Sequence, residues 1–255
     1  MKRNDYQLEY ASGVPEMYNK KSREQKARRM VKILESYWGK EKMSRLTLLD
    51  LGSSTGFIDN ILASHFKSVV GIDIDKGAVK FAKENFRRKN LSFTEGNAMN
   101  LNFQDSTFDV VICSHIYEHV PSSAKLLSEI HRVLKPGGTC FLAAVNKLWP
   151  LEPHYKLFFL SWMPKKLANI YIKITGKGNY YYENLRSYWG LKVLTKDFYI
   201  VEYTDKILRS PRIFGYDDAL KSGSWQEKFA FLLSPLSKIL SPTFFWLLVK
   251  EGEMN

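Results

Sequence analysis

Leu48-Leu-Asp-Leu-Gly-Ser-Ser-Thr-Gly56 runs from an apolar stretch into a turn of small residues, and Phe57 to Phe66 then carries helical spacing. In doubly wound sheets, ligands bind beyond the carboxyl ends of the strands, where glycine lets them approach the backbone closely. The next apolar, β-branched run, Ser68 to Ile74, includes Val70-Gly-Ile-Asp-Ile-Asp75. Its Asp73 stands twenty-one residues after Gly52, the place where an acid accepts both ribose hydroxyls in dinucleotide folds. Any tight turn demands small residues; the turn together with the spaced acid points to a ligand that carries a nucleoside.

Further apolar runs at Leu46 to Leu51, Leu91 to Thr94, Phe108 to Ser114 and Thr139 to Val145 read as strands. Helical patterns lie between them at Lys76 to Lys89 and Ser122 to Leu134, the latter stopped by Lys135-Pro136-Gly137-Gly138. Strands alternating with helices of this length imply right-handed crossovers and a parallel sheet. After Val145, a stretch rich in Trp, Tyr, Phe and Lys, Asn146 to Tyr182, breaks the rhythm. A helix is expected over Glu183 to Lys196, and strands over Phe198 to Tyr203 and Phe244 to Val249. The alternative for the last run is a membrane-dipping helix from Phe229, but Pro235 and Pro242 interrupt it, which favours the strand. Upstream, Ala27, Met30, Val31, Leu34 and Tyr37 mark an amphipathic helix over Ser22 to Trp38. The expectation is an α/β, doubly wound, Rossmann-like fold with a mostly parallel seven-stranded sheet and an N-terminal helical segment. Residues 1–45 would form a basic helical cap. Residues 46–255 would form one domain with a lid insertion after the fifth strand, at about 147–181.

A chain of 255 residues can bury one full core. Hydrophobic content of 45% beside 25% charge excludes a disordered chain, and no window carries the apolar run of a spanning helix. Met1-Lys-Arg-Asn-Asp-Tyr-Gln lacks the apolar stretch of a signal peptide, so a cytoplasmic location is expected. Cys113 and Cys140 sit in apolar runs and read as buried thiols, not as a disulfide framework. The net charge of +12 is uneven: twelve Lys/Arg face six acids over residues 1–45, and six lysines face only Glu152 from Lys147 to Gly178. Such zones suit phosphates, nucleic acid or acidic lipid, although a solvated basic face is the commoner origin of a charge run.

Glu95-Gly-Asn-Ala-Met-Asn-Leu-Asn-Phe-Gln-Asp-Ser-Thr-Phe-Asp-Val-Val-Ile-Cys-Ser114 and Ile130-His-Arg-Val-Leu-Lys-Pro-Gly-Gly138 complete a pattern with the opening turn. In order and spacing it resembles the signatures of class I S-adenosylmethionine-dependent methyltransferases, over roughly Thr47 to Val145. The likeness is greatest to the branch that includes ubiquinone, menaquinone and small-molecule methyltransferases. The resemblance implies S-adenosylmethionine as cofactor. It assigns Asp50, Gly52, Ser53, Ser54 and Gly56 to the turn around the methionine part and Asp73, with Ile74 beside it, to the ribose. It assigns Asn97, Ala98 and Met99 to the adenine and Ser114 to the end of the fourth strand at the cofactor. Asn97 replaces the acid usual at its position, and its carbonyl can still accept from the adenine amine. Ser54 replaces the middle glycine of the commoner motif. A nicotinamide enzyme is the rival, which the Lys-Pro-Gly-Gly segment does not support.

A sulfonium methyl is already activated, so the protein's task would be to align an acceptor in line and exclude water. A hydroxyl acceptor would profit from a general base, and His115, His119 and His154 are the bases to test. Glu118 and His119 recur in the family's loop, often as its brace, so a structural role competes for both. No metal site is expected. The insertion from Trp149 to Lys173 mixes aromatics with lysines, as a membrane interface does. A small-molecule acceptor, hydrophobic or lipid-linked, is therefore expected, with peripheral association on the inner face of an anionic membrane. A lid whose aromatics pack on the core is the alternative. An RNA methyltransferase and a non-catalytic S-adenosylmethionine-binding protein are the competing functional readings.

Overall fold

The computed structural model describes residues 8–218, 224, 231–232 and 234–252. Residues 1–7 of the expected cap, and Phe229, lie outside the described residues. Helix α1 (Lys20–Trp38) starts where the Asn19 side chain accepts from the Ser22 N–H at 3.2 Å, and it stops at Gly39 with φ 75°. Its buried stripe, Ala27, Met30, Val31, Ile33 and Leu34, joins Leu48, Leu62 and Val110 in one apolar core. The N-terminal helix therefore covers one face of the sheet.

The alternation expected from the sequence follows. Strand β1 (Thr47–Leu51) leads to α2 (Phe57–Leu62), β2 (Ser68–Asp73) to α3 (Lys76–Asn85), and β3 (Leu91–Glu95) to β4 (Phe108–Ser114). Helix α4 (Ser123–Val133) then enters β5 (Leu134–Val145). Beyond an insertion come α5 (Lys165–Ile174), α6 (Tyr188–Leu194), β8 (Tyr199–Glu202), α7 (Thr204–Arg209) and β9 (Thr243–Val249). The insertion opens with a small hairpin, β6 (Leu151–Glu152) and β7 (Leu157–Phe158). Seven strands pair in the order β3-β2-β1-β4-β5-β9-β8. Only β9 runs antiparallel to its neighbours β5 and β8. The order reverses between β1 and β4, which opens a crevice at their carboxyl ends.

Three local readings change. The Lys-Pro-Gly-Gly segment ends α4 but does not separate it from a strand that begins at Thr139. Strand β5 begins at Leu134, and the segment forms a bulge in it: Phe108 pairs with Leu134, and Val110 with Thr139. Lys135 Nζ reaches both Asp109 oxygens at 2.9 Å and fixes this bulge. The helix expected from Glu183 begins only at Tyr188, because residues 184–186 tie other parts together. The Asn184 N–H donates to Glu118 O at 2.8 Å, and the Lys147 N–H to Arg186 O at 3.0 Å. The helix expected to Lys89 ends at Asn85, where Phe86 turns extended. The final apolar run is a strand, paired along its whole length with β5. Among the described residues, no helix is long and apolar enough to cross a membrane.

Arg132 explains one of the signature segments. Its guanidinium donates to Leu101 O at 2.9 Å, Phe103 O at 2.7 Å, Asp105 at 2.8 Å and Glu129 at 2.9 Å. The chain between β3 and β4 is thereby fixed to α4.

Candidate functional site

A cavity of about 460 Å³ opens at the switch point, a size typical of small-molecule sites. Asp50, Gly52 and Ser54 line it from the turn after β1, and Asp73 and Ile74 from the end of β2. Asn97, Ala98 and Met99 line it after β3; Ser114, His115, Ile116 and His119 line it after β4. His154 reaches the same cavity from the insertion. Ser53 and Gly56 do not line it. Ser53 is buried beneath the turn against Gly71, and Gly56 opens α2 at φ 77° facing Phe93 and Ala82.

Gly52 adopts φ 73°, and a Cβ there would stand 2.2 Å from Ile116 Cδ1. Its N–H and that of Ser53 both donate to Ile72 O, at 2.8 and 3.0 Å, which bends the turn over β2. Asp73 is held by N–H groups: Ser54 donates to one oxygen at 2.7 Å and Asp75 to the other at 2.9 Å. Each carboxylate oxygen keeps a further lone pair for a hydroxyl. The Asn97 Oδ1 accepts from the Met99 N–H at 2.9 Å, so it shapes the turn besides being available to a ligand. Ser54 Oγ and Ser114 Oγ are buried without a hydrogen-bond partner among the described residues. Two cavity-lining hydroxyls left in this condition fit a polar ligand between them.

The N-terminal segment contributes residues that sequence reasoning passed over. Tyr10, Met17, Arg23, Lys26 and Met30 close the cavity on one side. Thr55 Oγ1 donates to Met17 O at 2.6 Å, and the Ala11 N–H to Asp75 at 2.9 Å, which fixes this roof to the turn and to α3. Arg23 lies one helical turn before Ala27, and an arginine in line with the apolar stripe was the available signal. Asp50 and Asp59 are both buried and close together. Burial pushes the Asp50 carboxyl up to about 7, against the pull of Arg23 and Lys26. Burial, then the charge of Asp50, holds the Asp59 carboxyl well above the usual range. Two such carboxyls share protons instead of both ionising. Burial, followed by Arg23, brings the Lys26 amine down to about 7.

The loop after β4 turns sharply at His115, φ 59°. Tyr117 braces it: its hydroxyl donates to Val145 O at 2.9 Å and accepts from the Arg186 N–H at 3.0 Å. Tyr117→Phe leaves both groups unmatched in the interior and is expected to cost about 1–3 kcal/mol in chemical denaturation. Glu118 is fully buried, and His115 Nδ1 approaches its Oε1 at 3.5 Å. His119 Nδ1 lies 3.8 Å from Glu183 Oε1, and its ring meets that of His154 edge-on at 4.9 Å. The Glu152 carboxylate accepts from His154 Nδ1 at 2.7 Å and from the Tyr155 N–H at 2.8 Å. Burial lowers the His119 imidazole to about 4. Burial also lowers His115. For His154, burial is outweighed by Glu152, which holds the ring above its ordinary range. Cys113 is buried in β4 and burial pushes its thiol up, so it has no place in the chemistry.

Residues 49–142 match a family model described as a methyltransferase domain. Residues 49–142 carry a methyltransferase domain. A demethylmenaquinone methyltransferase of Lactococcus lactis subsp. lactis (strain IL1403) is 29% identical over 177 residues, 66% of this chain and 65% of that protein. A ubiquinone biosynthesis O-methyltransferase of Coxiella burnetii (strain Dugway 5J108-111) is 26% identical over 39% of this chain and 44% of its own length. The chain thus spans less than two thirds of the curated relatives it matches. Among solved structures, an S-adenosylmethionine dependent methyltransferase from Mesorhizobium loti superposes with a TM-score of 0.53 at 15% identity, covering 82% of this chain and 92% of that one. The cofactor of the methyltransferase domain is S-adenosylmethionine, and the cavity with its glycine approach, acid and free hydroxyls fits it.

Proposed function

We propose that the protein methylates a small apolar acceptor, quinone-like or lipid-carried, taken from an anionic membrane surface. The observation that carries the reading is one cavity lined both by the Gly52 turn and Asp73 and by three histidines, His115, His119 and His154. When bound, S-adenosylmethionine supplies a methyl group already activated on sulfur. Asp73 would take the ribose hydroxyls, Ala98 and Met99 the adenine face, and the turn after β1 the methionine part. The Tyr10–Met30 side and the insertion exclude water from the reacting end. His115, neutral at pH 7 through burial, would receive the acceptor's proton on Nε2 while Nδ1 faces Glu118. The relatives named for quinone substrates support an acceptor of that class.

The surface of the insertion supports the membrane half. Ala168 and Ile172 bury one side of α5, while Leu167, Ile170 and Ile174 face outward at 56%, 54% and 79% exposure. Phe158, Phe159 and Trp162 are exposed on the same insertion. Every charge that the segment from Lys147 to Gly178 exposes is a lysine, since Glu152 is fully buried. Apolar side chains rimmed by cations alone match an acidic bilayer. Co-sedimentation with phosphatidylglycerol vesicles at low salt is expected, and Trp162→Glu together with Ile170→Glu should reduce it at least ~10-fold. Binding to neutral vesicles only, or to none, counts against this half.

Incubation with methyl-labelled S-adenosylmethionine and host extract tests the whole reading. Label should enter the organic-soluble fraction with the wild-type protein and stay absent with Asp73→Ala. Label in RNA would overturn the acceptor class, and no label in any fraction would favour a non-catalytic binding protein.

A further inference from the structure

The histidine end of the cavity contains more than one base requires. Glu118 and His119 stand on the loop after β4, and His154 stands on the hairpin of the insertion. One ligand atom of each lies within 4.8 Å of the other two. Glu118 is wholly buried, and beyond the 3.5 Å approach of His115 Nδ1 neither of its oxygens has a hydrogen-bond partner among the described residues. A buried carboxylate with one long contact and no other partner is expensive unless a cation joins it. The His154 ring is already fixed as metal-binding rings are. Its Nδ1 is committed to Glu152, which leaves Nε2 as the ligand atom and Glu152 as the outer carboxylate that orients it.

We infer that Glu118, His119 and His154 form a site for a divalent transition-metal cation that latches the insertion onto the core beside the acceptor end of the cavity. The inference rests on the proposed methyl transfer only for its purpose, not for its geometry. Two imidazoles and one carboxylate suit zinc, manganese or cobalt(II) better than magnesium or calcium, which prefer oxygen ligands throughout. Ligand atoms at about 2.0–2.2 Å from an ion stand closer together than 4.8 Å, so binding draws the hairpin inward by about 1 Å. Three protein ligands leave coordination positions open toward the cavity, where an acceptor oxygen can be held in line with the methyl group. The acceptor atom this favours is oxygen. No metal was expected from the sequence, in which Glu118 and His154 stand thirty-six residues apart and meet only through the fold.

Tag-free full-length protein titrated with cobalt(II) provides the test. Expected is one cobalt per chain, with visible absorption of a nitrogen- and oxygen-ligated ion. Glu118→Gln and His154→Ala should each weaken it at least ~10-fold, and Glu152→Gln about 10–100-fold by freeing the ring. His65→Ala, remote from the cavity, should bind like wild type. Cobalt should also slow proteolysis of the insertion in the wild type and not in His154→Ala. His154→Ala lies on the insertion and keeps the test decisive if Glu118→Gln fails to fold. Absence of stoichiometric cobalt, or wild-type affinity in both Glu118→Gln and His154→Ala, overturns the site. Binding of S-adenosylhomocysteine to the same sample separates the two ideas. S-adenosylhomocysteine bound without cobalt defeats only the cation site, whereas cobalt bound without S-adenosylhomocysteine defeats only the methyltransferase reading.

Discussion

Gly52→Ala is expected to weaken S-adenosylhomocysteine binding at least ~100-fold in a protein that still folds, as read by calorimetry alongside circular dichroism. The substitution imposes two penalties in one place. An L side chain at φ 73° costs about 1–2 kcal/mol, and the new Cβ would stand 2.2 Å from Ile116 Cδ1. Relief of that contact forces Ile116 and the turn apart, for about 1–3 kcal/mol more. Since 1.4 kcal/mol is a factor of ten in binding, a combined loss near 3 kcal/mol gives the stated change. Ile116 directly follows His115, so the displacement also reaches the acceptor side. Wild-type affinity in Gly52→Ala would mean that the turn does not carry the cofactor.

Cofactor affinity should rise about tenfold per pH unit as pH climbs toward 7, then level off. The bound cofactor is cationic at its sulfur and amino group, and Asp50 lines the cavity where the methionine part is placed. Below about 7, Asp50 must give up a proton before it can attract that charge. Calorimetry in buffers of different ionisation enthalpy should register one proton released per cofactor bound at pH 6. Stability of the ligand-free protein runs the other way. A carboxyl whose pKa is higher in the fold than in the unfolded chain holds its proton more tightly when folded. Stability contributed by Asp50 is therefore greatest at low pH and is lost between about 4 and 7, on the order of 4 kcal/mol, and Asp59 acts in the same direction. Asp59→Asn removes one of the two buried acids. It should flatten this loss and raise stability at pH 8. A slope unchanged from wild type would remove the pair from the account.

Much of this arrangement was legible because its signals are local. The turn from Leu48 to Gly56, the acid at the end of β2 and the alternation of strands and helices are each written within a few residues, and the backbone follows them. Asn97 to Met99, which the resemblance assigned to the adenine, line the cavity after β3. Glycines were harder to assign. Gly52 meets the cavity, while Gly56 serves the packing of α2 on Phe93, and both look alike in a small-residue turn. Lys135-Pro-Gly-Gly read as a stop because proline and glycine usually end elements, and here they make a bulge pinned by Asp109, sixty-two residues from its other partner Thr47. What the sequence hid is what depends on distant chain segments meeting. Arg23 and Lys26 reach the cavity only because α1 folds across the sheet. Asp59, on a short helix, is buried beside Asp50. His154 and Glu152 gain their relation to Glu118 only through the hairpin of the insertion.

The most direct test of the central claim is a crystal structure of the protein with S-adenosylhomocysteine. The ribose hydroxyls should lie within hydrogen-bond distance of Asp73, the adenine beside Ala98 and Met99, and the sulfur should face His115. Ligand bound away from the β1 and β4 crevice, or a ribose turned from Asp73, would contradict it.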